Sequence, residues 1–375
     1  MKKIAFLIDT IAMDTAGTQK QLLETIRRLD KNEFHSHLVC LYESAWMRRN
    51  SLPCPCTCLG YEGFLDASFP SVVRKLSKLI DDEQFDILQT FFEDSIYVGF
   101  LSSIFSKSKP RLLSNRRDMG LGPENEPWYH SVFRFVRPAV HRRFDAIVAN
   151  CAAVAEHVSK IDRIPRNRIK VLYNGVDIPR RADVMSIPEP FSLHPDAFWI
   201  GIVASLTPVK RHDLLLQSMR ILVSEEPRLN ARLLILGDGP LEQKLRTYSE
   251  TLGLLNQVDF LGATHDVDAY LRNLDVGVLC SDREGLSNAI LEYMANSIPV
   301  IATDTGGARE LLAGGAGELV PCGDANALSS ALLRLARNDS LRRRLGEAGR
   351  SDVQQRFSWS QSINSQQTFY RELLS

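Results

Sequence analysis

The sequence predicts an α/β protein of two doubly wound parallel-sheet domains, on three observations. Short apolar runs alternate with amphipathic segments from end to end, the pattern of buried parallel strands covered by helices on both faces. The rhythm breaks between 177 and 195, where Pro179, Pro188, Pro190 and Pro195 fall around the pair Arg180 and Arg181. A chain of 375 residues, 44% hydrophobic and 24% charged, is long enough for two separate cores. The expected division is a first domain over 1–179, a linker over 180–195, a second domain over 196–357 and a last helix over 358–375. That helix carries Ile363, Phe369, Tyr370 and Leu373 at helical intervals and can cap either domain, including by crossing back onto the first.

In the first domain the strands are expected at 3–8, 37–41, 86–89, 111–114, 146–149 and 170–172, with helices between them. The opening Lys2-Lys3 followed by an apolar run has the start of a secretory signal, but Asp9 ends the run too early. A buried first strand explains it better. No stretch reaches the length of a membrane span, so a cytoplasmic chain is the simplest expectation. In the second domain the strands are expected at 199–204, 233–236, 258–261, 276–279, 300–302 and 318–320.

Net charge near zero gives no global attraction to nucleic acid or acidic lipid, and no nucleic-acid partner is expected. Of seven cysteines, Cys40, Cys151, Cys280 and Cys322 fall singly in or beside strands and read as reduced core or near-core thiols. Cys54, Cys56 and Cys58 alternate with Pro55 and Thr57, a spacing too close for the usual zinc pairs, and read as an irregular reduced loop.

The most informative stretch is Glu284-Gly285-Leu286-Ser287-Asn288-Ala289-Ile290-Leu291-Glu292. Ser287 is a good N-cap, so the amides after it present free donors at the positive end of a helix dipole, which suits a phosphate or a sugar hydroxyl. On one continuous helix the two carboxylates would stand about 12 Å apart along the axis. A glycosidase pair works at roughly 5 to 9.5 Å. They therefore read as holders of different parts of one elongated ligand.

Open α/β sheets bind ligands beyond the carboxyl ends of their strands, so the residues following each strand are the ones to inspect. Ser205 opens a polar turn that delivers Lys210 and Arg211, a point charge and a fork suited to a diphosphate, with a solvated helix start as the competing reading. Gly237 and Gly239 flank Asp238 before Pro240, and Gly306-Gly307 ends another strand; each is either a tight turn or a close approach to a ligand. The third glycine and first-strand position of a dinucleotide fingerprint are missing.

These motifs, with Tyr173-Asn174-Gly175-Val176-Asp177, Tyr293-Met294-Ala295 and Pro299 to Gly307 with Glu310, resemble those of the retaining glycosyltransferases of group 1 and family 4. That family includes many bacterial polysaccharide and lipopolysaccharide hexosyltransferases, and the likeness runs over almost the whole chain. It implies the GT-B architecture, two Rossmann-like domains facing across a cleft. It implies that Glu292 holds the nucleotide ribose, that Glu284 lies near the donor sugar, and that Lys210 and the amides of Gly285, Leu286, Ser287 and Asn288 face the diphosphate. The expected reaction is retaining transfer from a UDP- or GDP-sugar to a saccharide or lipid-linked acceptor, with no cofactor and no metal. A non-catalytic nucleotide-sugar binder and a sugar-nucleotide epimerase are the alternatives.

The sequence departs from the family pattern in three places. Ser205 stands where an arginine is usual, leaving Arg211 or a first-domain arginine to compensate. The glycine pair near the first helix is Ala16-Gly17. Arg117, within Ser114-Asn115-Arg116-Arg117-Asp118, falls near a histidine slot; it either brings charge to the cleft as a catalytic group or pairs with Asp118. Finally, Trp128, Tyr129, Phe133, Phe135, Val140 and Phe144 interleave with Arg134, Arg137, Arg142 and Arg143 over 128–144. Such a segment either rests peripherally on the inner face of an anionic membrane or forms a packed wall with solvated arginines, and Pro138 is expected to interrupt its face.

Overall fold

The structure, a computed structural model, describes residues 1–15, 17–119, 128–179, 187–264 and 266–375, with the side chains of 128–134 left aside. Ala16, Arg180 and Arg181 lie outside the described residues, as do the side chains of Trp128, Tyr129, Phe133 and Arg134. The chain divides into two units, 1–174 with 362–375, and 175–361.

The first unit is built on seven strands: β1 (Lys2–Ile8), β2 (Phe34–Cys40), β3 (Cys56–Cys58), β4 (Ile87–Phe91), β5 (Arg111–Arg116), β6 (Ala146–Ala149) and β7 (Ile169–Val171). Their order is β3-β2-β1-β4-β5-β6-β7, parallel throughout. Because β1 is buried on both faces, its side chains divide by alternation. Ile4, Phe6 and Ile8 enter one core with Leu22, Leu38 and Ile87, while Ala5 and Leu7 enter the other with Val39, Leu76 and Leu88.

The second unit holds β8 (Phe198–Val203), β9 (Ala231–Leu236), β10 (Val258–Gly262), β11 (Val276–Leu279), β12 (Val300–Thr303) and β13 (Gly317–Val320). Their order is β10-β9-β8-β11-β12-β13, again all parallel. In each sheet the order reverses beside the first strand, between β1 and β4 and between β8 and β11. Those two reversals are where doubly wound sheets open a crevice at their carboxyl edge.

The last helix, Trp359–Leu374, belongs to the first unit from Ser362 onward. Phe369 and Tyr370 join the core beside Phe34, Tyr370 donates its hydroxyl to Gln89 Oε1, and Arg371 Nη2 reaches Glu33 Oε2 at 2.6 Å.

Three expectations need correction. Cys56–Cys58 is a strand, not an irregular loop: Leu38 N donates to the Pro55 carbonyl at 2.9 Å, and a proline without an N–H is tolerated at the start of an edge strand. Within the span read as a linker, Phe191 is buried with its ring 4.7 Å from that of Trp199. Cys322 is exposed, unlike the buried Cys40, Cys151 and Cys280. The helix Trp128–His141 runs through Pro138, and Arg137, expected in solvent, is buried in an ion-pair network. Phe135 is 89% exposed on that helix, whereas Val140 and Phe144 are buried.

Candidate active site

The loops at the carboxyl edge of the second sheet are tied to one another by backbone contacts that explain several glycines. Leu206 N donates to Asp238 O at 2.7 Å, and a Cβ on Gly237 would stand 2.1 Å from the Ala204 carbonyl oxygen. Gly239, at φ +154°, would place one 2.7 Å from Leu206 O. Both positions require glycine for the approach of two loops, whatever ligand lies beyond them. Gly306 has φ +52°, and a Cβ there would fall 1.8 Å from Glu284 O, while Gly307 N donates to Gly285 O at 2.9 Å.

The same linkage brings the first loop against the Glu284 loop. Asp282 N donates to Val209 O at 2.9 Å, and Thr303 Oγ1 and Thr305 Oγ1 donate to Ser281 O and Asp282 O at 2.7 and 3.1 Å. Val209 precedes Lys210 at the end of the short 3-10 turn Pro208–Lys210, so Lys210 is delivered across the reversal point of the sheet. Its ammonium group is hydrogen bonded to Glu284 Oε1, which also accepts from Ser281 Oγ at 2.7 Å. Both side chains of this pair are largely shielded, at 23% and 12% exposure.

Ser287 caps the helix Asn288–Ala295, its side chain accepting from Ile290 N at 3.4 Å. The helix is anchored by Tyr293, whose hydroxyl accepts from Val203 N at 2.7 Å. Its ring lies against Gly277, where a Cβ would come within 2.4 Å. Glu284 therefore sits in the loop at the mouth of this helix and Glu292 in its second turn, half-buried, as their spacing suggests.

Arg211 takes another course. Its left-handed backbone, φ 50°, turns the guanidinium onto Asp213, with Nε–Oδ1 at 3.0 Å, and onto Asp282, with Nη1–Oδ1 at 3.1 Å. The hydrogen bonds it donates to Asp213 raise its pKa further, so the charge is firmly held. Next to it His212 is 2% exposed with both ring nitrogens unpaired among the described residues, and burial lowers its pKa to about 4.

Gly17 and Arg117 belong to the other unit, Gly17 at the start of the helix Gly17–Arg28 and Arg117 directly after β5. Arg117 Nε and Nη1 are buried without a hydrogen-bond partner among the described residues, and burial lowers its pKa to about 10. The arginine that forms an ion pair at this strand end is Arg116, 3.5 Å from Asp162 Oδ2.

Two clusters of the first unit had no clear signal in the sequence. His141 Nδ1 lies 3.0 Å from Asp162 Oδ2 and its Nε2 lies 3.3 Å from Ser114 Oγ, the order of a hydrolytic triad. Ser114 and His141 are both 0% exposed, so no substrate reaches them and the network is structural. At the reversal point beside β1, Asp9 accepts from Ser95 Oγ at 2.6 Å near Glu93 and Asp94. Burial, with the Asp94 charge adding to it, raises the Asp9 pKa from 3.8 to about 7.

A carboxyl whose pKa is raised on folding binds more protons in the native than in the unfolded state across that interval. Its native-state contribution is therefore fully present below about pH 4 and is lost as pH rises through about 7. Asp9→Asn should remove this dependence. Urea unfolding at pH 5 and pH 8 is expected to show the variant gaining relative to wild type at the higher pH; equal differences at both would contradict it.

The family model of glycosyl transferases group 1 matches residues 186–352, and that of glycosyltransferase family 4 matches 15–180. This chain belongs to the group 1 and family 4 glycosyltransferases. Over 213 residues this glycosyltransferase family member is 26% identical to N-acetyl-alpha-D-glucosaminyl L-malate synthase of Bacillus anthracis, covering 56% of this chain and 55% of the relative. It is 36% identical over 185 residues to the putative colanic acid biosynthesis glycosyltransferase WcaL of Escherichia coli K12, covering 47% and 44%. The chain thus spans about half the length of these relatives. The crystal structure of Anabaena Alr3699/HepE in complex with UDP shares the fold at a TM-score of 0.82, 21% identity and 99% and 100% coverage. No helix among the described residues is long and apolar enough to cross a membrane, and no group of three His, Cys, Asp or Glu among them could hold a metal ion.

Proposed function

We propose that the protein is a retaining glycosyltransferase that moves a sugar from a UDP- or GDP-sugar to a saccharide or lipid-linked acceptor in polysaccharide assembly. The observation that carries this reading is the Lys210–Glu284 pair at the mouth of the Ser287-capped helix, with Glu292 in its second turn. A diphosphate entering there meets the Lys210 ammonium and the amides that open the helix, and a ribose hydroxyl pair meets the Glu292 carboxylate. As the sugar–phosphate bond breaks, Lys210 stabilises the charge that grows on the leaving diphosphate. The acceptor hydroxyl attacks on the face the diphosphate leaves, so no protein nucleophile and no metal is needed.

Ser205 cannot supply the charge of the arginine usual in the family. Arg211 is an unsuitable substitute, because binding phosphate would require it to leave Asp213 and Asp282. We keep Arg117 as a candidate catalytic cation of the first unit, because its buried Nε and Nη1 hold no partner among the described residues. The exposure of Phe135, Arg142 and Arg143 keeps peripheral contact with an anionic membrane as part of the proposal.

Glu292→Ala is expected to raise the donor KM by about 10-fold to 100-fold while changing kcat less, the pattern of a lost ground-state contact. Steady-state transfer with UDP-glucose and a panel of nucleotide sugars checks it, with oligosaccharide, lipid-linked and malate-like acceptors. An unchanged KM would remove Glu292 from the donor site. The loss of the usual arginine at Ser205 favours one second reading, a nucleotide-sugar binder without chemistry; donor binding by calorimetry with no transfer to any acceptor would support it.

A further inference from the structure

One arginine of the first unit holds buried N–H groups with no counter-charge among the described residues. Alternation along β5 and β6 places Arg117 and Asn150 on the face of Leu113 and Val148, where Tyr370 of the last helix packs. Arg116, on the opposite face, meets Asp162, and Arg137 meets both Asp162 and Glu93. Arg117 has no such partner. Its Nε and Nη1 are buried without a hydrogen bond among the described residues, yet the residue as a whole is only half-buried and so within reach of solvent. Asn150 is 3% exposed; its Nδ2 donates to the Arg117 carbonyl at 3.0 Å, which leaves its Oδ1 buried and unpaired among the described residues.

We propose that Arg117 and Asn150 form an anion site at the carboxyl edge of β5 and β6, for a phosphate or carboxylate group that carries or adjoins a hydroxyl. A buried cation with unpaired N–H groups is costly, and a bound anion removes both costs at once. A guanidinium suits either group, because its donors are fixed in one plane. The bond to the Arg117 carbonyl fixes which end of the Asn150 amide is nitrogen, so the free end is an oxygen that can only accept. An O–H on or beside the acidic group fills that acceptor, as hydrogen phosphate or a sugar acid does.

The carboxyl edge of a doubly wound sheet is where such folds take ligands, and the neighbouring strands β5 and β6 supply one residue each. Burial lowers the Arg117 pKa only to about 10, so the guanidinium keeps its charge at neutral pH. The inference deepens the proposed function and rests on it for the source of the group. That source is either the donor diphosphate or a phosphate or carboxylate of an acidic acceptor glycan.

The test uses the full chain carrying Lys210→Ala, so that phosphate at the Lys210 loop does not mask the site. Inorganic phosphate, titrated against chloride of equal ionic strength, should raise its melting temperature, and adding Arg117→Met should weaken that phosphate dependence by about tenfold or more. Arg117→Lys should restore part of it. Without phosphate, Arg117→Met should not lower the melting temperature, because it removes an uncompensated charge. In the chain with Lys210 intact, transfer kinetics locate the source. A higher KM for phosphorylated or carboxylated acceptors alone assigns the group to the acceptor, and a higher donor KM with every acceptor assigns it to the diphosphate. The proposal is overturned if phosphate protects the Arg117→Met chain as well as its parent, in which case water fills the site, or if Arg117→Met melts lower without phosphate, which marks the arginine as structural. The phosphate titration decides this even where no sugar transfer is found.

Discussion

Lys210→Ala is expected to lower kcat/KM for sugar transfer by roughly 10²- to 10³-fold, with most of the loss in kcat. The donor diphosphate gains negative charge as the glycosidic bond stretches, and Lys210 is the cation that the Ser205–Lys210 turn brings to the sheet reversal. With Arg211 held by Asp213 and Asp282, no second cation of this loop can take over. The ammonium and the Glu284 carboxylate are only 23% and 12% exposed, so their charges act with little screening. Lys210→Arg should recover only part of the activity, because a planar fork does not reproduce a point charge held by one Glu284 oxygen. Transfer measured with a slowly reacting acceptor, where chemistry limits the rate, separates this effect from product release. Wild-type kcat in Lys210→Ala would remove the lysine from the catalytic step.

Asp162→Ala should be the most destabilising single change in the first unit, costing about 3 to 5 kcal/mol and lowering that unit's melting transition on the order of 10 °C. Asp162 is 1% exposed, accepts from Arg137 Nε at 2.7 Å and from His141 Nδ1 at 3.0 Å, and lies beside Arg116. Arg137 in turn reaches Glu93 Oε2 at 3.2 Å, so two arginines face two carboxylates. Removing one carboxylate leaves a buried cation without compensation. Burial opposes the Asp162 charge, but the His141 hydrogen bond and the Arg116 charge hold its pKa down to about 2. A depressed carboxyl contributes stability that is present above the unfolded value near 3.8 and lost as pH falls through about 2. Thermal unfolding from pH 7 to pH 2 should therefore show a difference between variant and wild type that is constant above about pH 4 and narrows as the pH falls through about 2. Equal melting temperatures at neutral pH would show the network to be dispensable.

Periodicity made the strands legible because a parallel strand buried on both faces is a continuous apolar run: 146–149 and 276–279 coincide with β6 and β11 end to end. The same criterion passed over β3, whose Cys-Thr-Cys is neither long nor strongly apolar. Neighbour β2 makes it a strand, through bonds that involve Pro55 and Leu59. In the candidate site, the Ser287 cap and the positions of Glu284 and Glu292 were readable from local spacing. The pairing of Lys210 with Glu284 was not, since 74 positions separate them and only the order β8-β11 makes them neighbours. Arg211 read as a phosphate fork for the same reason, because one of the carboxylates that occupies it, Asp282, comes from another loop.

The sequence by itself determined the fold class, the strands and the residues at the mouth of the capped helix, because these follow from periods of two and 3.6 residues and from capping chemistry within a few positions. Only the tertiary structure decided which charges are partnered. It turned Arg211 away from the role its position suggested, buried Arg137 with Asp162, and left Arg117 Nε and Nη1 unpaired among the described residues. Ion pairing depends on atoms a few ångströms apart in space, and strand order, which local pattern does not encode, sets those distances.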